Sequence, residues 1–291
     1  MAGSDYLEHE QISEDTRSQL YFLFVQASDK LLFPHWHEHL ELVYVMEGEM
    51  TAYSQDKAYE LKTGDLFLIN TSEIHYTHTH LNTKYCLLQI PPVHLKRITP
   101  AWETLQFREY FAHEEDSDSL NARLGRIFLE MKQLDEEKKE GYQLLMLSAV
   151  CRLLYLLAAE AQEKPEKPGK KRLGAAGREA ERMKQTMEYI RRHYREPLTL
   201  SDGAALLSVT PEHFCRLFRR YTGQTFLNYL GQVRMTHFYE DLLESDDSIT
   251  LLLDRHGIRN YKVFLREFKE TYGRTPQQIR KENRENHERA E

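Results

Sequence analysis

The stretch that decides the architecture runs from Thr199 to Gly223 and reads TLSDGAALLSVTPEHFCRLFRRYTG. Thr199 or Ser201 can cap a short helix whose small and apolar side chains end at Leu207. A brief turn follows, and Pro211 then stands where the first residue of a helix tolerates proline. The segment therefore predicts two short helices joined by a tight turn.

The second of these helices, expected from Glu212 to Tyr221, has two chemically different faces. Its buried stripe is predicted to be aromatic and aliphatic, and its exposed side is predicted to be mostly basic. A short helix, a tight turn and a basic second helix form the helix-turn-helix pattern, whose second helix enters the major groove of DNA. The buried set is Phe214, Leu217, Phe218 and Tyr221, and the exposed set is Glu212, His213, Arg216, Arg219 and Arg220.

The same pattern recurs downstream. Residues 248–256 predict another short helix, Gly257 supplies the turn, and residues 260–272 predict a second exposed helix. A longer helix over residues 226–244 is expected to join the two units. On the downstream helix Phe264 and Phe268 are expected to be buried, and the outward set is Tyr261, Lys262, Leu265, Arg266 and Lys269.

Over residues 184–283 the chain resembles the DNA-binding domain of the AraC/XylS family of transcription regulators. Two sequence blocks carry the resemblance, with Tyr229 and Arg234 between them. The blocks are His213-Phe214-x-Arg216-x-Phe218-Arg219-Arg220-x-Thr222-Gly223 and Phe264-x-Arg266-x-Phe268-Lys269-x3-Gly273-x-Thr275-Pro276.

The family's docking mode implies roles for the exposed residues of both units. Arg216 is the strongest base-reading candidate, because arginine bonds guanine O6 and N7 with two hydrogen bonds. Glu212 and His213 follow in the first unit, and Arg266 and Lys262 lead in the second. Tyr261 and Leu265 are expected to make apolar or thymine-methyl contacts, whereas Arg219, Arg220 and Lys269 are expected to touch phosphates.

Several positions depart from the pattern usual in the family. Phe238 and Leu253 stand where a small alanine is expected, and Asp241 replaces an expected leucine. Ile258 replaces a common phenylalanine, and Lys262 replaces a small serine. These departures leave the predicted fold in place but put the packing of the second unit in question.

The front of the chain has a different pattern. Short segments rich in β-branched or aromatic residues, separated by turn residues, cover residues 21–25, 41–46, 66–69 and 85–90. Such strands without intervening helices predict an antiparallel sandwich or barrel. After Pro91 and Pro92, apolar spacings of three and four predict helices near residues 102–112, 120–137 and 141–162.

The last of these helices has an unusually broad apolar face. It either packs on the chain's own barrel or pairs with its twin in a homodimer. The apolar stretch is too short for a comfortable membrane span and contains Arg152, so no membrane contact is expected. The stripe consists of Leu144, Leu147, Cys151, Leu154 and Ala158, widened by Leu145, Leu153 and Leu157.

A histidine cluster stands at the start of the second predicted strand. His35, His37, His39 and Glu41 share parity, so on a strand they would point to one side of the sheet. Imidazoles converging with a carboxylate could hold a divalent transition metal. The run His35-x-His37-x3-Glu41-x6-Gly48 resembles the first cupin motif, and Gly64-x5-Asn70-x-Ser72-x2-His75 is similar to the second.

This cupin resemblance implies a metal quartet of His35, His37, Glu41 and His75. Cupin-like sensor domains also keep such residues as the lining of a pocket without metal, and a small-molecule site inside the barrel is the expectation preferred here. No cofactor is therefore predicted. The expected effector pocket consists of His35, Trp36, His37, Glu41, Tyr44, His75 and Tyr76.

Together these features predict a multidomain α+β protein. A cupin-like effector-binding and dimerisation domain with trailing helices is expected over residues 1–162, and a Pro- and Gly-rich linker is expected over 163–178. An all-α domain with two helix-turn-helix units should follow over 179–283, and a charged tail over 284–291. The net charge is −7, but residues 178–291 hold 20 Lys and Arg against 18 Asp and Glu. A weakly basic back half is compatible with a nucleic-acid reader.

The functional expectation is a non-enzymatic, cytoplasmic regulator of transcription that binds double-stranded DNA as a homodimer. Three scattered cysteines build no disulfide framework, which favours a reducing compartment. The resemblance implies an activator that contacts RNA polymerase and responds to a small molecule, with a sugar as the favoured class. Two alternatives stay open: a metal-dependent cupin enzyme, and a small-molecule sensor that does not bind DNA.

Overall fold

The computed structural model describes residues 20–54, 57–98, 105–163 and 175–288. Described residues up to 163 belong to one unit, and those from 175 onward belong to another. Most of the predicted linker lies outside the described residues. Residues 175–178, expected as its end, already form the first turn of a helix.

The described residues of the first unit form nine strands in two antiparallel sheets. The five-stranded sheet has the order β1-β8-β3-β6-β9 and the four-stranded sheet has the order β2-β7-β4-β5. All four predicted strands are confirmed. The strands are β1 (Tyr21–Ala27), β2 (Lys30–Leu31), β3 (Leu40–Glu47), β4 (Glu49–Ser54), β5 (Lys57–Lys62), β6 (Leu66–Ile69), β7 (His75–Thr79), β8 (Thr83–Ile90) and β9 (Tyr110–Phe111).

The two faces of the five-stranded sheet are buried against different layers, as strand β3 illustrates. Val43 and Val45 pack with Met50 and Leu61 of the other sheet, whereas Leu40 and Leu42 pack in a second cluster with helix residues. Because successive side chains on a strand point to opposite faces, alternate residues of β3 enter different cores. This alternation decides which side chains can reach the space between the sheets.

Three helices are described in this unit: α1 (Pro92–Ile98), α2 (Leu120–Glu137) and α3 (Tyr142–Leu156), the last extended by a π-helical turn over Leu157–Ala161. The helices predicted over 120–137 and 141–162 are confirmed. The helix predicted near 102–112 is wrong for its described part, because Tyr110–Phe111 pairs with β6 as an edge strand. Helix α1, which begins at the second of the two prolines, was not predicted.

The helix over Tyr142–Ala161 is long and apolar enough to cross a membrane by length and composition. One face of it, however, is buried in the protein: Ala149, Val150, Leu153 and Leu157 belong to the core shared with α2 and the five-stranded sheet. This face packs as the core side of an amphipathic helix does.

The second unit contains seven described helices: α4 (Ala175–His193), α5 (Leu200–Leu207), α6 (Pro211–Thr222), α7 (Phe226–Glu244), α8 (Ile249–Arg255), α9 (Tyr261–Tyr272) and α10 (Pro276–Glu288). The predicted helix pairs α5–α6 and α8–α9 are both present, and α7 joins them with the expected bounds. Part of the region expected as a charged tail, residues 284–288, continues helix α10.

One hydrophobic core of this unit centres on Phe238 of α7. This side chain is completely buried, and its ring lies 4.8 Å from the ring of Phe264 and 5.8 Å from that of Phe268. Ile258 and Leu253 are half-buried against the same cluster. Three of the departures from the family pattern therefore fill one aromatic core.

Candidate functional sites

The first helix pair is held by local hydrogen bonds and one close approach. Thr199 caps α5 in a capping box: its hydroxyl accepts from the backbone N–H of Asp202 at 3.3 Å, and the Asp202 carboxylate accepts from that of Thr199 at 2.8 Å. Gly203 lies directly against α6, since an added Cβ would stand 2.4 Å from the Phe214 ring. Glycine at this position lets the two helices meet.

Helix α6 presents the predicted basic face to solvent. Thr210 caps it, Phe214 and Phe218 are buried, and Arg216 and Arg219 are exposed. His213 is half-buried, and its Nδ1 lies 3.3 Å from an Arg216 guanidinium nitrogen. The exposed residues of this helix are Glu212, Cys215, Arg216, Arg219 and Arg220, together with Pro211.

Arg220 differs from its neighbours because it has partners within the unit. Its guanidinium donates to Glu179 of α4 and lies over the ring of Tyr221. The ion pair with Glu179 competes with any contact between the Arg220 guanidinium and a DNA phosphate. The sequence predicted the exposure of Arg220 but not this partner, which lies 41 residues away.

Helix α9 repeats the arrangement with a different charge balance. Asn260 caps it, Phe264 and Phe268 are buried, and Leu265 is half-buried. Arg266 is exposed but lies 3.9 Å from a carboxylate oxygen of Glu267 and 4.0 Å from one of Glu270. The other predicted outward residues, Tyr261, Lys262 and Lys269, are exposed. Arg259, which sequence reasoning did not select, is also exposed immediately before the cap.

Asp241 has a structural role in the second helix pair. Its carboxylate accepts from Arg255 at 3.0 Å and from His256 Nε2 at 3.0 Å, while His256 Nδ1 lies 3.2 Å from the hydroxyl of Tyr194. A neutral His256 satisfies this pattern by donating from Nε2 and accepting at Nδ1. Burial opposes the nearby Asp241 charge and lowers the pKa of His256.

In the first unit, the predicted histidine–carboxylate quartet comes together. One ligand atom from each of His35, His37, Glu41 and His75 lies within 4.8 Å of every other. The residues come from separate elements: Glu41 lies on β3, His75 lies on β7 of the other sheet, and His35 forms an isolated bridge with His75. The cluster therefore connects the two sheets. The segment holding His35 and His37 is irregular rather than a strand.

Glu41 is the hub of this quartet. Its Oε2 lies 2.8 Å from His37 Nε2 and 3.7 Å from His75 Nε2, and it accepts from Gln89 Nε2 at 2.9 Å. Burial opposes ionisation of the carboxyl group, but the hydrogen bonds and charges of the two histidines outweigh it and hold the pKa of Glu41 well below its usual value. Gln89 was missed by sequence reasoning because its link to Glu41 depends on the pairing of β3 with β8.

The expected effector pocket is only partly assembled. The prediction is wrong for two of its aromatic residues, Tyr44 and Tyr76, which do not lie beside the quartet. Tyr44 lies on the opposite face of β3 from Glu41, where its ring stacks on Phe128 of α2 at 5.5 Å. Tyr76 follows His75 on β7 and faces away from it, stacking on Tyr53 at 4.2 Å. Strand alternation excludes both from the quartet's face. Trp36, which lies between His35 and His37 in the sequence of the irregular segment, is half-buried.

Comparison with protein families places two known domains on the chain. The family described as AraC-like ligand binding domain matches residues 19–154. The family described as helix-turn-helix domain matches residues 204–282. The first match covers the two sheets with α1 and α2 and most of α3, and the second covers the second half of α5 together with α6 to α9 and part of α10.

Relatives include regulators from two bacteria. The regulatory protein PocR of Salmonella typhimurium is 33% identical over 105 residues, which are 36% of this chain and 35% of that protein. An uncharacterized HTH-type transcriptional regulator of Staphylococcus aureus strain MRSA252 is 22% identical over 261 residues, which are 89% of this chain and 34% of that protein. The chain thus spans about a third of the length of these curated relatives.

Solved structures similar to parts of the chain include two bacterial proteins. ToxT from Vibrio cholerae aligns with 90% of this chain and 96% of its own, at 11% identity and a TM-score of 0.43. The C-terminal domain of AraT, a response regulator from Geobacillus stearothermophilus, aligns with 38% of this chain and 88% of its own, at 28% identity and a TM-score of 0.33.

Proposed function

Since the chain belongs to the AraC family of regulators, we propose that it regulates transcription by binding double-stranded DNA through its two helix-turn-helix units, under control of a small molecule bound by the front unit. One observation carries the proposal: the capped helix pair occurs twice, and each second helix buries two phenylalanines while exposing basic residues. A merely structural helical domain has no need of two such exposed faces.

The proposed base-reading residues are Arg216 and Arg266, with Glu212, His213 and Lys262 beside them. Arg216 is favoured because its only described contact is the 3.3 Å approach to His213 on the same helix. Arg219 and Lys269 are proposed to contact phosphates. Arg220 is a weaker candidate than the others because Glu179 already holds its guanidinium.

DNA capture tests this proposal. Sheared genomic DNA from the source organism is incubated with the full chain at physiological salt, beside Arg216→Ala/Arg266→Ala and a control with equal charge loss, Lys281→Ala/Arg284→Ala on α10. We expect discrete upstream sites with the wild type and the control, and their loss in the test variant. Uniform or absent recovery, both without addition and with a panel of sugars, would contradict a sequence-specific regulator.

The proposed assembly is a homodimer formed through the outer face of α3. Leu144, Leu147 and Tyr155 are 74%, 43% and 70% exposed, and Cys151 is exposed between them. They recur at spacings of three and four, so they form one continuous apolar stripe on the helix. The occupant proposed for this stripe is the same stripe of a second copy, since a two-fold axis pairs identical patches.

Sedimentation of the full chain checks this assembly. Leu147→Glu places a charge in the stripe and is expected to convert the dimer to a monomer. Leu81→Glu adds the same charge at a side chain that is 76% exposed on the turn between β7 and β8, and this variant is expected to stay dimeric. A wild-type monomer, or a dimer that tolerates Leu147→Glu, would exclude this interface.

The proposal also names a class of effector, a cellular compartment and a partner. A sugar is the proposed effector class, held near the quartet and Trp36, because carboxylate and imidazole groups bind hydroxyls and an aromatic face covers apolar ring surface. The protein is proposed to act in the cytoplasm, to contact RNA polymerase as an activator and to catalyse no reaction. A sugar that raises the melting temperature of the wild type, but not of Trp36→Ala, would support this site.

A further inference from the structure

A short segment that connects α4 with α5 contacts the second helix pair as well as the first. This entry segment, residues 194–199, starts just after α4 ends and finishes at Thr199, the cap of α5. Because Gly203 brings α5 directly against α6, a movement of the entry segment carries α6 with it. The contacts of this segment therefore determine the position of the first DNA-facing helix.

Arg234, near the middle of α7, holds the entry segment from one side. Its Nε donates to the carbonyl oxygen of Tyr194 and its Nη2 donates to that of Glu196, both at 2.7 Å. Both hydrogen bonds come from one planar guanidinium, so they fix the orientation of the segment as well as its distance from α7. Among the described residues Arg234 has no carboxylate in an ion pair, and its hydrogen bonds go to these two backbone oxygens.

The second helix pair holds the entry segment from another side. Gly257, in the turn after α8, has a φ of 67°, and an added Cβ would stand 2.6 Å from the carbonyl oxygen of Arg195. The buried Tyr194 ring stacks on His237 of α7 at 4.4 Å, and its hydroxyl lies 3.2 Å from His256 Nδ1. The segment is thus in contact with both α7 and the turn that precedes α9.

These contacts connect the two helix pairs directly, in addition to the long helix α7. Helix α5 begins at Leu200, shortly after Glu196, and α9 begins at Tyr261, shortly after Gly257. Two DNA-facing helices at a fixed separation can engage together only where their two sites on DNA have the matching spacing. The gain from linked binding is lost when geometry forbids simultaneous engagement.

We propose that Arg234 is a positioning residue that sets which spacing between two DNA sites the protein accepts. It acts through the entry segment and needs no contact with DNA, and Gly257 allows the close approach on the other side. The inference rests on the proposed function, DNA binding through both helix pairs, and adds to it a specificity for the distance between the two sites.

Duplexes of altered spacing test the proposal. A duplex recovered in the capture experiment is footprinted under the conditions that recovered it, and two base pairs are inserted between its two protected segments. Each inserted pair adds about 3.4 Å of rise and about 35° of rotation. We expect the insertion to weaken binding by the wild-type full chain about 100-fold, measured by fluorescence anisotropy.

The variant Arg234→Met loses both hydrogen bonds to the entry segment but keeps a side chain of similar length. The insertion should then weaken its binding only about tenfold, because the two helix pairs can adjust their separation. Arg284→Met is the matched control, since Arg284 pairs with the exposed Asp246 and does not touch the entry segment. This control should show the same insertion penalty as the wild type.

The ratio of affinities for the two duplexes separates positioning from stability. A variant that is merely less stable binds both duplexes more weakly by the same factor, and its ratio stays unchanged. Gly257→Ala and Gly273→Ala both place a Cβ on a glycine with φ near 70°, but the added Cβ of the second meets nothing within 4 Å. Gly257→Ala should therefore reduce the insertion penalty, and Gly273→Ala should leave it unchanged.

Three results would count against the inference, and circular dichroism verifies that each variant keeps its helix content. Equal insertion penalties in the wild type and in folded Arg234→Met would overturn the inference and leave the proposed function in place. A wild type that binds both duplexes equally well would do the same. A wild type that binds no duplex would contradict the proposed function and this inference together.

Discussion

The two helix-turn-helix units have the same order of elements but pack differently. In the first, Gly203 of α5 brings that helix against Phe214 of α6 with almost no side chain between them. In the second, the corresponding position of α8 is Leu252, which is completely buried, and the large Phe238 fills the centre. The first helix pair therefore packs through a glycine, and the second packs through leucine and phenylalanine side chains.

The second helix-turn-helix unit is also joined to α7 by polar side chains, of which His256 is buried and Asp241 and Arg255 are partly exposed. Asp241, Arg255 and His256 form a hydrogen-bonded network that connects α7 with α8. At the same time the helices that face solvent differ in charge, since α6 has three arginines against one glutamate and α9 has three basic residues against two. We therefore expect the first helix-turn-helix unit to contribute more to DNA affinity, and the stability of the second to depend more on pH.

The largest expected effect is that of Phe238→Ala. Removing a fully buried phenylalanine leaves a cavity and is expected to cost about 3–5 kcal/mol. Hydrogen exchange on the full chain should then accelerate in α8 and α9 while α5 and α6 stay protected. Equal acceleration in both pairs would mean that the two units share one cooperative core.

A smaller stability effect is expected at the close approach in the first unit. Gly203→Ala forces a Cβ to within 2.4 Å of the Phe214 ring, and such overpacking costs about 1–3 kcal/mol. Gly231→Ala in α7 is the matched control, because nothing lies within 4 Å of its added Cβ. There the higher helix propensity of alanine should stabilise by up to about 1 kcal/mol. Calorimetry of the full chain that gave both variants the same sign would refute the packing difference.

The two recognition helices should differ in their share of DNA affinity. Arg216→Ala should weaken binding by about 1–3 kcal/mol, roughly 5- to 150-fold, if it bonds a guanine. Arg266→Ala should cost less, because Glu267 and Glu270 already lie within 4.0 Å of its guanidinium. Fluorescence anisotropy with a duplex recovered in the capture experiment measures both. A larger loss for Arg266→Ala would reverse the ranking of the units.

The smallest effect concerns pH. Burial lowers the pKa of His256 below its ordinary value of 6.5, so the unfolded chain binds a proton more readily than the folded one. The free energy of unfolding of the second helix-turn-helix unit should therefore fall as the pH drops below about 6.5. Above that pH the contribution of His256 should be fully retained. In His256→Gln, whose amide can still donate to Asp241, this part of the decline should vanish. Calorimetric scans of both proteins at about pH 7.5 and pH 5.5 test the difference.

Sequence patterns predicted the helical unit more completely than the sheet unit. Thr199, Pro211 and Asn260 mark helix starts, and Gly223 and Gly273 end α6 and α9 in the left-handed region with φ of 68° and 70°. These signals act within a few residues of one another. The helix expected near 102–112 failed because its described end forms an edge strand with β6, a partner more than 40 residues away.

The candidate sites divide in the same way. The cupin resemblance implied the quartet of His35, His37, Glu41 and His75, but alternation along β3 and β7 turned Tyr44 and Tyr76 to other faces. Asp241, noted from the sequence only as the replacement of an expected leucine, accepts hydrogen bonds from Arg255 and His256. In each case the deciding contact is with a residue on another element.

The sequence by itself determined the two helix pairs, their caps and the basic faces, because helix and turn signals depend on neighbours close in the chain. Tertiary structure alone decided that Gln89 orients Glu41, that Glu179 holds Arg220, and that Phe238 and Asp241 complete the second unit. Those contacts join residues distant in sequence. Their energies come from burial and pairing, which exist only once the chain has folded.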